Sequence, residues 1–233
     1  MGGTSIVGEE PGQRAGFDRI WTGFLASPSL VDGRHDTPRW NSADGPFALA
    51  LLRIDAAALQ PALADCQAAL GMFPGLRLHP DHFLHVTLQE LGFVVDDPSQ
   101  PDELSTVRLE EFAQSAVGPV ADRRPYRVRV GGLNSFEDAP FLEVHDDGST
   151  SALHTRLFEL SAIPRAAPFA YLPHVTIGHF LGHGRPSDVV AEIEPFRDRV
   201  FGELTIAAVE IVTLDPADTY PALRPYAIIP LGG

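Results

Sequence analysis

One cysteine, Cys66, stands in a chain of 233 residues. A lone thiol builds neither a disulfide framework nor a thiolate zinc site, so a reducing compartment, the cytoplasm, is the expected setting. Positive charge is scarce as well: 17 Lys and Arg face 31 Asp and Glu, leaving a formal net charge of −14. Basic side chains on phosphates supply most nucleic-acid affinity, so a groove that grips a long polyanion is excluded. A pocket for one or two phosphates is not. No uncharged apolar run reaches the length of about 18 residues that a bilayer demands, and no membrane contact is expected. The opening residues MGGTSIVGEE carry glycine and acids where a secretory leader needs a basic patch and an apolar stretch, so none is expected. A glycine-rich phosphate loop followed by Lys is missing, and so is a Gly-x-Ser-x-Gly elbow, which removes ATP-driven and hydrolase-triad chemistry. What remains, at 44% hydrophobic and 21% charged residues, is an ordinary globular composition with ample core.

Along the chain, residues 1–16 are glycine-rich and aperiodic and are expected to lack fixed structure. Phe17, Ile20, Trp21 and Phe24 recur at helical spacing, and 17–46 reads as an extension packed on the main body, a candidate lid. The body, 47–233, is read as one bilobal domain. FALALLRI (47–54) is a buried strand; 56–71 is a helix with Pro61 in its first turns, where proline is tolerated. Strand 84–93 and helix 104–117, stopped by Gly118-Pro119, follow, then strands 126–136 and 140–146. Helix 149–163 is capped by Ser149 or Thr150. Strand 171–180, helix 187–198 and strands 202–215 and 225–232 complete the series. Strands that adjoin without a helix between them argue for an α+β fold with mixed or antiparallel sheets. A weak repeat runs through it: strand 47–54, helix 56–71 and strand 84–93 have the order of strand 140–146, helix 149–163 and strand 171–180. Two such units would set matching motifs face to face across a central cleft.

Those motifs are His85-Val86-Thr87-Leu88 and His174-Val175-Thr176-Ile177. Side chains alternate along a strand, so His85 and Thr87 share one face and His174 and Thr176 share another, with aliphatics behind them. A His-x-Thr between apolar flanks arises by chance about 0.1 times in such a chain, so two copies at matching points of a repeat stand out. His35-Asp36-Thr37 lacks the apolar flanks, precedes Pro38 in a loop and reads as the chance occurrence. Two imidazoles across a cleft are an opposed acid and base near neutral pH. In-line attack at phosphorus uses that arrangement, with the Thr87 and Thr176 hydroxyls as donors to the non-bridging oxygens.

HVTL and HVTI, about ninety residues apart on strands of a duplicated unit, resemble the two-histidine phosphoesterase superfamily, and within it the bacterial 2′-5′ RNA ligase and RNA 2′,3′-cyclic phosphodiesterase group. HVTLQELGF and Tyr171-Leu172-Pro173-His174 are also similar to that group, where an aromatic-x-Pro leads into the second motif. The resemblance covers roughly 47–232. It implies a bilobal α+β fold, His85 as proton donor, His174 as acceptor and threonines that hold the phosphate. The scheme requires no metal and no cofactor is expected. The leading reading is a phosphodiesterase acting on a small nucleotide or an RNA end, with 2′-5′ ligation as the reverse chemistry at the same site; the other readings are a binding module without turnover and a metal-dependent hydrolase. Two positions depart from the family pattern: His179 stands where an Arg often follows the second motif, and Glu90 where an aromatic commonly follows the first. Both are candidate rim residues that tune substrate choice, and solvated strand ends are the alternative.

Phe180, in phase with His174 if the strand is continuous, and Tyr171 are candidate stacking partners for a base. His79, His82 and His85 have metal-like spacing, as do His174, His179 and His183, but neither set has an acidic partner nearby. Arg123, Arg124, Arg127 and Arg129 form the densest basic stretch, either a phosphate-attracting edge or a solvent-facing strand. Oligomeric state leaves no mark in the sequence, and a monomer is assumed.

Overall fold

The computed structural model describes residues 12–34, 38–163 and 171–232. Its first helices are α1 (Gln13–Ala26) and the single turn α2 (Pro38–Asn41). Then come β1 (Phe47–Arg53), α3 (Ala62–Leu70), β2 (Leu76–Leu78), β3 (His85–Val94) and β4 (Glu103–Leu104). Next are α4 (Thr106–Ala121), β5 (Tyr126–Ser135), β6 (Pro140–His145), α5 (Ser149–Ser161), β7 (His174–Thr176) and β8 (Gly178–Phe180). Short α6 (Val190–Ile193) precedes β9 (Val200–Ile206), β10 (Ala208–Leu214) and β11 (Arg224–Pro230).

The strands make three sheets: β11-β10-β1-β3-β4, β7-β6-β5-β9 and the ribbon β2-β8. Among the described pairs only β3–β4 is parallel, so the α+β class read from the sequence is what the structure has. The repeat is physical. In the first unit β1 and β3 flank α3 in sequence and pair antiparallel; in the second, β6 and β7 flank α5 and do the same. One face of each sheet feeds a shared core, where Val86 and Leu88 of β3 join Val175 of β7 and Ile177 beside it. Burying such aliphatics contributes roughly 1.5–3 kcal/mol each.

Four sequence expectations need correction, each for a local reason. The helix expected over 56–71 is a 3-10 turn at Ala56–Leu59 followed by α3, because Gln60, held extended before Pro61, cannot continue it. Helix α4 runs through Gly118 and Pro119 to Ala121, since Ala116 and Val120 still face the core and proline removes only one donor near the end. Neither Ser149 nor Thr150 caps α5: Gly148 is the cap residue, and the Asp146 carboxylate accepts from the Thr150 backbone N–H at 3.0 Å. The helix expected over 187–198 is one α turn between two 3-10 turns.

Residues 12–34 and 38–41 pack on both large sheets, α1 against β5 and Trp40 of α2 against residues of β1 and β3. Phe17 and Phe24 of α1 are buried, and the Asn134 amide donates to the Phe17 carbonyl at 3.0 Å. Trp40 of α2 lies against Phe47 and Phe93, while Arg39 pairs with Asp102 and Glu103. The expected lack of structure over 1–16 is corrected at its end, where residues 13–16 form the first turn of α1 with Gln13 and Gly16 buried; residues 1–11 and His35-Asp36-Thr37 lie outside those described.

Candidate functional site

His85 opens β3 and His174 opens β7, and these two strands, from different sheets, lie against each other. Each imidazole is held in the same way. His85 Nδ1 donates to the Phe83 carbonyl at 2.6 Å, and His174 Nδ1 donates to the Leu172 carbonyl at 2.8 Å. In both cases the acceptor lies two residues back, so the duplicated motif carries its own orienting bond. A carbonyl can only accept, which fixes the proton on Nδ1 of the neutral ring and leaves Nε2 as the basic nitrogen. Both rings are half-buried.

Electrostatics ties the two together. Loss of water around His85 holds its pKa down at about 4, and the charge that His174 would carry pushes the same way. Desolvation also holds His174 below its ordinary value, against the bond to Leu172 and the field of Asp138, which raise it. A consequence for stability follows. The unfolded chain takes up the His85 proton near pH 6.5 and the folded one only near 4, so stability is full above 6.5 and falls as pH drops through that window. His85→Gln is expected to flatten this part of a stability-against-pH profile; an unchanged slope would contradict the assigned desolvation.

Thr87 and Thr176 sit two residues on from the histidines, both half-buried, and neither hydroxyl has a protein partner among the described residues. Beside them β3 is tied to α5 and to the segment before β7. Tyr171 donates its hydroxyl to the Thr87 carbonyl at 2.8 Å, and its ring stacks on His154 at 3.9 Å. His154 Nδ1 in turn reaches the Leu88 carbonyl at 2.6 Å. Desolvation holds the Tyr171 phenol well above its usual value, as suits a permanent donor. One ring face and the hydroxyl of this expected stacking residue are thus already occupied by the protein.

Phe180 differs from expectation. The chain leaves one sheet at Ile177 and joins another, β7 pairing with β6 and β8 with β2, so alternation does not carry from His174 to Phe180. Phe180 is fully buried against Phe24 and Phe73 and offers no face to a base. Glu90 moves the other way. Counting by twos from His85 lands on Gln89, but a bulge in β3 puts Glu90 opposite Leu49, in step with Thr87 opposite Leu51 and His85 opposite Arg53. Glu90 therefore shares the His85 face, exposed, while Gln89 is buried.

His179 is half-buried and its Nδ1 lies 3.3 Å from His79 Nε2. In the sequence His79 reads only as a candidate metal ligand. In the structure it bridges the motifs: its Nδ1 lies 3.1 Å from the Thr176 carbonyl, and Phe83 stands edge-on between its ring and that of His85. Nothing in its spacing signals this, because the contact depends on the β2-β8 ribbon. Among the described residues no three His, Cys, Asp or Glu side chains gather in a way that could hold a metal ion. Arg127 is ion-paired with Glu203 on β9, so this member of the basic stretch is neutralised within the sheet.

A cavity of about 460 Å³ lies elsewhere, between α4, the end of α5 and the β4 region; Leu104, Phe112, Leu160 and Ile163 line it beside Ser105, Arg108, Glu103 and Glu111, with no histidine among them.

Comparison with known proteins bears on the family and the fold. The family profile described as 2′-5′ RNA ligase superfamily matches residues 55–218. No curated protein matches the chain significantly. Among solved structures, TT0787 of Thermus thermophilus superposes with a TM-score of 0.60 at 17% identity, over 80% of this chain and 98% of that one. LigT of E. coli gives 0.58 at 13%, over 82% of this chain and 100% of that one. A conserved protein of unknown function from Agrobacterium tumefaciens gives 0.55 at 14%, over 91% and 99%. At these identities the likeness is one of fold. Structures of LigT include complexes with phosphate, 3′-AMP, ATP and NADP+. Among the described residues no helix is long and apolar enough to cross a membrane.

Proposed function

The chain belongs to the 2′-5′ RNA ligase superfamily, and from that premise we propose that it is a phosphodiesterase acting on a small nucleotide or an RNA end bearing a 2′,3′-cyclic phosphate. The observation that carries this reading is the duplicated histidine geometry, each ring tied through Nδ1 to a carbonyl two residues earlier and each with its basic Nε2 left for proton transfer. In the forward reaction His174 takes the proton from water as its oxygen bonds to phosphorus. The bond from phosphorus to one ribose oxygen breaks, and His85, protonated, delivers a proton to that oxygen. Bound phosphate favours the protonated imidazole and offsets the desolvation that holds His85 low in the free protein. Ligation to a 2′-5′ linkage is the same displacement with a ribose 5′-hydroxyl in place of water: its oxygen bonds to phosphorus as the bond to the 3′ oxygen breaks, with the same two proton transfers. That LigT is found with phosphate and with 3′-AMP supports a small phosphate-bearing ligand here too.

The threonine hydroxyls are assigned to the non-bridging oxygens, since no protein group competes for them among the described residues. Thr176→Ala is expected to lower kcat about a hundredfold, as removal of a preorganised donor does, with little change in melting temperature. An unchanged kcat would remove the hydroxyl from the reaction. The function itself is tested by incubating the purified protein, in chelator, with 2′,3′-cyclic mononucleotides and cyclic-phosphate-ended oligomers. Ring opening to a monophosphate is expected; no turnover of any of them would overturn the reading.

A further inference from the structure

Beside the paired motifs lies a rim that the proposed chemistry does not use. Strand β2 pairs antiparallel with β8, and Arg77 stands opposite His179. Opposed residues of such a pair project from the same face, so the guanidinium and the imidazole are neighbours. From His179 a continuous set of rings leads to the site: His179 to His79 at 4.7 Å, His79 to Phe83 at 5.2 Å, and Phe83 to His85 at 5.4 Å. Tyr220 closes the group, its ring 5.3 Å from His79 and its hydroxyl 3.4 Å from the Arg77 carbonyl. The Arg77 charge also reaches the Tyr220 phenol, opposing the desolvation that raises its pKa.

Arg77 is unlike Arg53, which stands opposite His85 and is held by Glu210. The Arg77 side chain is exposed and makes no hydrogen bond, ion pair or ring contact among the described residues. The neighbouring imidazoles are tied to one another and to the backbone: His79 Nδ1 donates to the Thr176 carbonyl at 3.1 Å, and its Nε2 lies 3.3 Å from His179 Nδ1. In a chain of net charge −14, an uncompensated cation at the end of a ring-lined path from His85 is where a second anionic group would settle.

We propose that Arg77, flanked by His179 and Tyr220, is a subsite for a second phosphate of the substrate, one carried on the same nucleotide or its neighbour on the His85 side of the reacting phosphodiester. The guanidinium donates in a fork to two oxygens of that phosphate, and the Tyr220 and His179 rings bound its place. The inference builds on the phosphodiesterase reading but selects among its substrates: molecules with a second phosphate are preferred to those with one.

The test uses binding as well as turnover, so that the two proposals can fail separately. In the intact protein, adenosine 3′,5′-bisphosphate is expected to bind about tenfold or more tighter than 3′-AMP, the gain of one charged hydrogen-bonded pair. Arg77→Ala is expected to erase that advantage while leaving 3′-AMP affinity unchanged, and Arg77→Lys to restore part of it. With 2′,3′-cyclic AMP carrying or lacking a 5′-phosphate, Arg77→Ala raises KM only for the phosphorylated one and leaves kcat alone. Equal affinity for the two adenosine ligands in the wild type, an equal loss for both in Arg77→Ala, or binding of neither would overturn the subsite. A preference for the bisphosphate without turnover of any cyclic substrate would keep the subsite and overturn the phosphodiesterase reading.

Discussion

Replacing His174 with alanine is expected to lower kcat about 10²–10⁴-fold, the span associated with removal of a positioned general acid or base. His85→Ala is expected to do the same. The double variant should be no slower than the worse single one, because a proton taken at one end of the displacement is useful only if another is given at the other. Each ring is half-buried and makes a single hydrogen bond to a nearby carbonyl. Truncation therefore leaves the sheets intact, and circular dichroism with thermal melting checks that it has. Activity within a few-fold of wild type in a folded His174→Ala protein would take the ring out of the chemistry.

Glu143→Ala carries the largest expected cost in stability, about 3–5 kcal/mol, because it strands charge in the interior. Glu143 is 2% exposed on β6, opposite His174. Its Oε1 accepts from Arg197 at 3.0 Å and from Asn134 at 2.8 Å, while Oε2 lies 3.1 Å from His145 Nε2. Gly132 is shaped around it: at φ +80 it takes a left-handed turn, and a Cβ there would sit 2.8 Å from Oε2. The cluster lies beneath α1, whose Phe17 ring meets His145 at 5.2 Å and whose Trp21 lies under the Arg197 guanidinium at 4.7 Å. Removing the carboxylate leaves Arg197 without its buried counter-ion, and chemical denaturation should register the loss at once. Glu143→Gln keeps an acceptor for Asn134 and Arg197 and is expected to cost less. A loss below about 1 kcal/mol for Glu143→Ala would mean that Arg197 finds water or another partner.

These residues mark how far the sequence could be read. The paired motifs were legible because apolar flanks and duplication are both local signals, and β3, β6 and α5 stand close to where the sequence reading put them. The boundaries that failed depend on contacts between distant segments. The strand expected over 202–215 is two, β9 and β10, which serve different sheets, and the apolar run reads the same on either side of the crossing. The strand expected over 171–180 likewise changes sheets at Ile177, which is why Phe180 faces the core rather than the cleft. Glu90 reached the His85 face through a bulge that no spacing rule anticipates. Arg77 and His79 carried no signal of their place beside the site, since β2 is three residues long and gains its meaning only by pairing with β8. The extension was recognisable as an amphipathic helix, but its seat over Glu143 and His145 depends on a buried ion cluster built from separate strands and loops.

The most direct test of a phosphate shared between the two motifs is an NMR titration of the histidine side chains with 3′-AMP, with resonances assigned by single His→Gln variants. His85 and His174 are expected to shift together along one binding curve, both moving toward the protonated form as the phosphate settles between them. Movement of only one ring, or of the two with different midpoints, would mean that they do not serve the same phosphorus centre.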